Sequence, residues 1–208
     1  MRREDQALSA PISLLVPDLP ATQALVPYLE RIEQSAWYTN NGPLVRAFES
    51  RVASFIDAQS GVVRCVTAAS GTVALELALR AMDLPSGSRV LVPAFTFPAT
   101  AIAVLRAGHV AVLCDVDEDA WIVTPEIAER CAAGSDCAAI VPVAAFGLGL
   151  DVAAWDEFAG RTGLVVVIDG AGALGAMTPG RHVPVAFSLH ATKPLGIGEG
   201  GVVATRDD

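Results

Sequence analysis

Short runs of branched apolar residues, recurring with helical patterns between them, constrain this chain more than any other feature. The runs are VVRCV (62–66), RVLVP (89–93), VAVLCDV (110–116), AAIVPV (138–143), LVVVI (164–168), VAFSL (185–189) and GVVAT (201–205). Runs of about four to six apolar residues without polar alternation mark strands buried on both faces. A sheet covered on both faces needs flanking helices. Those helices are legible between the first five runs, in GTVALELALRAMD, PATAIAVLRAG, TPEIAERCAA and DVAAWDEFAG. The alternation predicts an α/β fold, a mostly parallel seven-stranded sheet flanked by helices.

Helix punctuation agrees. Thr124 and Pro125 supply an N-cap and a first-turn proline, and Gly134 stops that helix. Asp151 is placed to cap the helix carrying Trp155 and Phe158, and Pro43 opens a helix whose stripe is Leu44, Phe48, Val52 and Phe55/Ile56. WYTNNGP (37–43), just upstream, reads as a surface loop. There is no repeat, low-complexity tract or interdomain linker. The division is an N-terminal arm and helix over 1–36 and one large domain over 37–208. The last run is followed directly by TRDD (205–208), so a continuation or a partner is expected to close the sheet.

Charge and composition remove several function classes. A formal net charge of −9 argues against nucleic acid and anionic membrane as partners, since both favour basic patches. The longest apolar run, AAIVPVAAFGLGL (138–150), is too short and too broken by proline and glycine to span a bilayer. MRREDQALSAP has no apolar stretch before a cleavage site, so no signal peptide is expected. Cys65, Cys114, Cys131 and Cys137 form no CxxC, and His109, His182 and His190 have no metal-ligand spacing. Reduced cysteines in the cytoplasm, with no metal, are the expectation.

In open α/β sheets, ligands sit beyond the carboxyl ends of the strands. Ser70-Gly71-Thr72 falls there, at the start of a helix, where free N–H groups and hydroxyls can hold a phosphate. An ordinary Ser/Thr cap gives the same pattern. Phe95 and Phe97 follow the second run, as core residues or as a platform for a flat heterocycle. Asp169 ends the fifth run, as a helix cap or as a carboxylate for a cationic ring nitrogen. Ser188 and Lys193 close the series. Of the 14 basic residues, Lys193 is the only lysine, and only lysine can act as an amine nucleophile. A phosphate cradle, a stacking aromatic, a carboxylate, a second hydroxyl and one lysine together match the needs of pyridoxal 5′-phosphate (PLP).

The chain resembles the DegT/DnrJ/StrS-type aminotransferases, PLP-dependent sugar aminotransferases of fold type I. The resemblance runs through WYTNNGPLVRAFE (37–49), ASGTVALELAL (69–79), VPAFTFPATAIAVLRAG (92–108), DVDEDAWIV (115–123), VAAFGLGLDVAAW (143–155) and FSLHATKPLGIGEGGVV (187–203). It implies that Lys193 forms a Schiff base with the cofactor and shuttles the proton, and that Asp169 holds the pyridinium. It also implies that Phe97 stacks on the ring, that Ser70, Gly71, Thr72 and Ser188 bind the phosphate, and that Tyr38 and Thr39 contact substrate. The implied reaction moves an amino group from an amino acid, glutamate by resemblance, to a nucleotide-linked keto sugar. The implied assembly is a homodimer or a pairing with a complementing C-terminal chain.

Two departures support a competing expectation, a PLP-binding chain without independent turnover. Gly172 stands where such proteins usually carry Gln or His, three residues after the Asp, and the small C-terminal domain of the family does not follow. Related dehydratases replace the lysine with His; Lys193 is retained, which favours transamination.

Overall fold

The structure is a computed structural model, and it describes Ser13, residues 15–58 and residues 60–206. Of the arm and helix expected over 1–36, residues 1–12 and 14 lie outside the described residues. Helix α1 (Thr22–Ser35) is present, and none of its residues is buried. Helix α2 (Pro43–Ile56) starts at the expected proline and buries Val52. It is tied to strand β1 (Arg64–Ala68) by Glu49, whose Oε1 accepts from the Thr67 N–H and hydroxyl, both at 2.8 Å.

The rest alternates as expected: α3 (Gly71–Ala81), β2 (Arg89–Pro93), α4 (Ala99–Arg106), β3 (Val110–Cys114), α5 (Pro125–Ala132), β4 (Cys137–Ile140) and α6 (Val152–Thr162). The Thr124 and Asp151 side chains cap α5 and α6, accepting from the Ile127 and Ala154 N–H groups. Strands β5 (Val165–Val166), β6 (Ile168–Asp169), β7 (Val185–Ser188) and β8 (Gly201–Thr205) follow.

One expectation is corrected. In place of a single seven-stranded sheet there are two four-stranded ladders, ordered β3-β2-β4-β5 and β1-β8-β7-β6. The LVVVID run is divided between them: its first half pairs with β4, its second with β7. Proline is the physical reason. Pro142 follows β4 and Pro184 precedes β7, and neither has an N–H to continue a ladder. The two ladders meet along this run, where the Val167 N–H donates to the Ile140 carbonyl at 3.2 Å and the Asp169 N–H to Pro142 at 2.9 Å. β1–β8 and β7–β8 are antiparallel, the other pairings parallel. The 189–200 connection holds no helix, so β8 returns beside β7 instead of crossing over.

The uninterrupted apolar runs divide between two cores. Val90 and Val92, Val167 and Ala186 pack beneath α3 and α4, with Ala74, Leu75, Ala78, Leu79 and Val104. Leu91, Ile140, Val166, Ile168, Val185 and Phe187 face the other way, against Val52, Trp155 and Phe158. This three-layer packing brings the strand ends, and the loops after them, to one rim.

Candidate active site

At that rim lies a cavity of about 440 Å³. Its lining includes Ser70, Gly71, Thr72, Phe97, Asp169, Ser188 and Lys193, every residue assigned to the cofactor from the sequence. They come from the start of α3, the β2–α4 loop, the end of β6, the end of β7 and the 189–200 loop.

The α3 N-terminus forms one end. Ser70 is its N-cap, with Oγ accepting from the Val73 N–H at 3.2 Å and its carbonyl from Ala74 at 2.9 Å. That leaves the Gly71 and Thr72 N–H groups at the open end of the helix, where its dipole favours an anion. Two glycines let the helix approach the sheet this closely. A Cβ on Gly71 would fall 2.7 Å from Ser188 Cβ, and one on Gly201 would collide with the Ser70 carbonyl oxygen. Gly71→Ala is therefore expected to push α3 away from β7. Overpacking of this kind costs about 1–3 kcal/mol, so denaturant titration should show reduced stability. Phosphate-dependent binding should weaken by about 10-fold or more. Unchanged stability and binding would show that the close approach is not needed.

Asp169 is buried at the opposite end. Its Oδ2 accepts from the Thr100 hydroxyl at 2.7 Å and its Oδ1 from the Ala171 N–H at 3.1 Å. Burial pushes the carboxyl above its usual range; Thr100, Ala171 and the Lys193 charge oppose that push without cancelling it. Asp169 is not a helix cap, because a turn rather than a helix follows it. Thr100 is fully buried and its Oγ1 lies 2.7 Å from that of Thr96.

The two phenylalanines separate. Phe95 joins an aromatic cluster with Trp121 and Phe146, at centroid distances of 5.1 and 6.0 Å. Phe97 lines the cavity and is 78% exposed, so its ring is bare enough to meet another ring. Lys193 is half-buried on the 189–200 loop.

Tyr38 and Thr39, expected at substrate, are not in this cavity. They line a separate open groove with Arg31, Trp37 and Leu44. The sequence reading missed Thr100, His190, Thr192 and Glu199. His190, Thr192 and Glu199 line the cavity, and Thr100 reaches Asp169 from behind. Thr100 had a signal, a hydroxyl in the otherwise apolar PATAIAV helix. Gly172 is covered by the 3-10 turn Ala145–Gly147: a Cβ on Gly147 would fall 2.6 Å from the Gly172 carbonyl oxygen.

Among the described residues no three His, Cys, Asp or Glu side chains are grouped to hold a metal ion, and no helix is long and apolar enough to cross a membrane. The four cysteines are unpaired. Burial pushes the Cys65 and Cys114 thiols up to about 12, so neither is a ready nucleophile.

Known proteins are similar to this chain in sequence and in fold. EryC1, the erythromycin biosynthesis sensory transduction protein of Saccharopolyspora erythraea, is 36% identical over 206 residues, covering 91% of this chain and 55% of its own length. A UDP-N-acetyl-3-dehydro-α-D-glucosamine 3-aminotransferase of Acidithiobacillus ferrooxidans is 42% identical over 168 residues, covering 78% of this chain and 44% of its own. Spr1654 of Streptococcus pneumoniae, solved in a PLP-form, superposes with a TM-score of 0.77 at 25% identity, covering 95% of this chain and 53% of its own. The chain thus spans about half the length of the relatives it matches. The family model for DegT/DnrJ/EryC1/StrS aminotransferases matches residues 21–208, and the chain belongs to that family.

Proposed function

We propose that this chain is the cofactor-binding part of a PLP-dependent aminotransferase that moves an amino group from an amino acid, glutamate by resemblance, to a nucleotide-linked keto sugar. The observation that carries the reading is convergence. Residues from five separated segments meet in one cavity, and among them is the only lysine in the chain. The residues fit the group: Gly71 keeps free the space beside Ser188 that a Cβ would fill, and a buried carboxylate lies at the other end.

When bound, PLP supplies an aldehyde that condenses with amines and a ring that accepts the electron pair released at the substrate carbon. The chain does the rest. The Gly71 and Thr72 N–H groups, with the Ser70 and Ser188 hydroxyls, would hold the phosphate. Asp169 would accept from the ring N–H, its carboxylate oriented by the Thr100 hydroxyl and the Ala171 N–H. Phe97 would supply the aromatic contact to the ring. Lys193 would present the amine nucleophile and would hold and move a proton at its Nζ. The unpaired cysteines suit a reducing compartment, the cytoplasm. Tyr38 and Thr39 remain the proposed substrate contacts, reached from their own groove by a second copy or a complementing C-terminal chain.

Addition of PLP should turn the purified protein yellow. Borohydride should remove the visible band and leave a PLP adduct that peptide mass spectrometry places on Lys193. The N-terminal amine is the internal control, and an adduct confined to it would sink the assignment. A PLP-binding chain without turnover is the second reading, favoured by the absence of a side chain at Gly172. Its mark is capture of PLP on Lys193 with a visible band that glutamate leaves unchanged.

A further inference from the structure

The loop that carries Lys193 is closed on itself around His190. A parallel bridge joins His190 to Gly198, with the Ala191 N–H donating to the Gly198 carbonyl at 2.8 Å and the Leu189 N–H to Gly200 at 2.9 Å. Within it, the turn from His190 to Lys193 is tied twice. The Lys193 N–H donates to the His190 carbonyl at 2.8 Å, and the Thr192 N–H donates to His190 Nδ1 at 3.3 Å. The Thr192 hydroxyl lies 3.0 Å from the same nitrogen. A ring nitrogen that accepts an N–H is unprotonated, so the proton of the neutral imidazole is on Nε2. That atom points toward Glu199, 3.8 Å from Oε1.

We propose that His190 is a positioning residue for Lys193: its unprotonated Nδ1 fastens the turn that presents the lysine amine, and proton uptake on that nitrogen releases it. The proposal rests on Lys193 being the amine that takes the aldehyde. A doubly protonated ring turns Nδ1–H against the Thr192 N–H, two donors with no acceptor between them. That Nδ1–H keeps only the Thr192 hydroxyl as a partner. The charged groups that line the same cavity as the ring are Lys193, Glu199 and Asp169. Both members of the His190–Glu199 pair are solvent-accessible, so solvent weakens their mutual pull. The other polar side chains lining the cavity, Ser70, Thr72, Ser188 and Thr192, are neutral.

Substitution separates the roles. Asn offers an amide oxygen near the place of Nδ1 and cannot take a proton there; Gln reaches the place of Nε2; Ala removes both. The rate of PLP capture on Lys193, fixed by borohydride and read by mass spectrometry, is followed from about pH 8 to about pH 5, the range in which imidazoles titrate. Hydrogen exchange at the Thr192 amide of the cofactor-free protein is the second readout, and circular dichroism reports folding. A lost hydrogen bond of ordinary strength corresponds to about a 10-fold change. His190→Ala should therefore slow capture by about 10-fold near pH 8 and speed Thr192 exchange by a similar factor. His190→Asn should match the wild type near pH 8 and outpace it increasingly on acidification. Wild-type capture and wild-type Thr192 exchange in His190→Ala would overturn the proposal. Should that variant fold poorly, Asn and Gln decide: a fast Asn and a slow Gln support it, and equal rates overturn it. Absence of any Lys193 adduct in the wild type would instead overturn the functional reading, leaving Thr192 exchange to judge the tie by itself.

Discussion

Lys193→Arg should abolish covalent capture of PLP while leaving the fold and net charge unchanged. A guanidinium does not lose its proton near neutrality and so offers no nucleophile. The chain holds no second lysine to substitute for it. After borohydride, mass spectrometry should find no adduct at position 193 and no more than wild-type labelling at the N-terminal amine. Removal of the α-proton of an amino donor, followed as exchange with deuterated solvent, should fall by about 10²–10⁴-fold, the range for a missing acid–base group. A variant that keeps the wild-type visible band would take the lysine out of the site altogether.

Asp169→Asn should move two measurements in opposite directions. A hydrogen bond to a charged group is worth about 1.5–3 kcal/mol, so PLP affinity should fall by about one to two orders of magnitude. The cofactor-free protein, however, should become more stable at neutral pH. Burial raises the Asp169 carboxyl in the folded protein above its unfolded value. The folded state therefore holds the proton more tightly, and that contribution is complete below the unfolded value and lost as pH rises through the folded one. Asn removes the buried charge. It also keeps both contacts, since the Thr100 hydroxyl can accept from the amide and donate to Thr96. Melting curves of the two proteins should differ at neutral pH and converge in acid. Equal melting at all pH values, with equal PLP affinity, would reduce Asp169 to a loop anchor.

Much of this was legible in the sequence because the signals are local. RVLVP reads as a strand covered on both faces, and Val90 and Val92 do part from Leu91 into opposite cores. Ser70, Asp169 and Lys193 were legible as candidates because each sits at or soon after the end of a strand, where α/β sheets expose their loops. Pairing partners far apart in the chain were not. Nothing in GVVAT announces that it lies antiparallel between β7 and β1, although the helix-free 189–200 connection excluded the crossover that parallel pairing needs. The Thr100–Asp169 hydrogen bond joins residues 69 apart and depends on strand order. Gly71 read as part of the phosphate cradle and Gly201 as the first residue of a strand, and the reason that each must be glycine appears only when α3 is set against Ser188 and the Ser70 carbonyl meets β8. Tyr38 and Thr39 rested on resemblance alone, and they lie in a different groove.

The divided LVVVID run places the cavity across both ladders. Phe97 and Thr100 hang from the β2 end of one ladder; Ser70, Gly71 and Ser188 belong to the other; Asp169 sits at the join. The two ladders do not act separately: the Val143–Asp169 bridge and the Ala144 and Asp169 N–H groups tie them together, and Val90, Val92, Val167 and Ala186 share one core. A ligand gripped from both sides would therefore be held by one mechanical body, and its occupancy would raise the cost of opening any part of it.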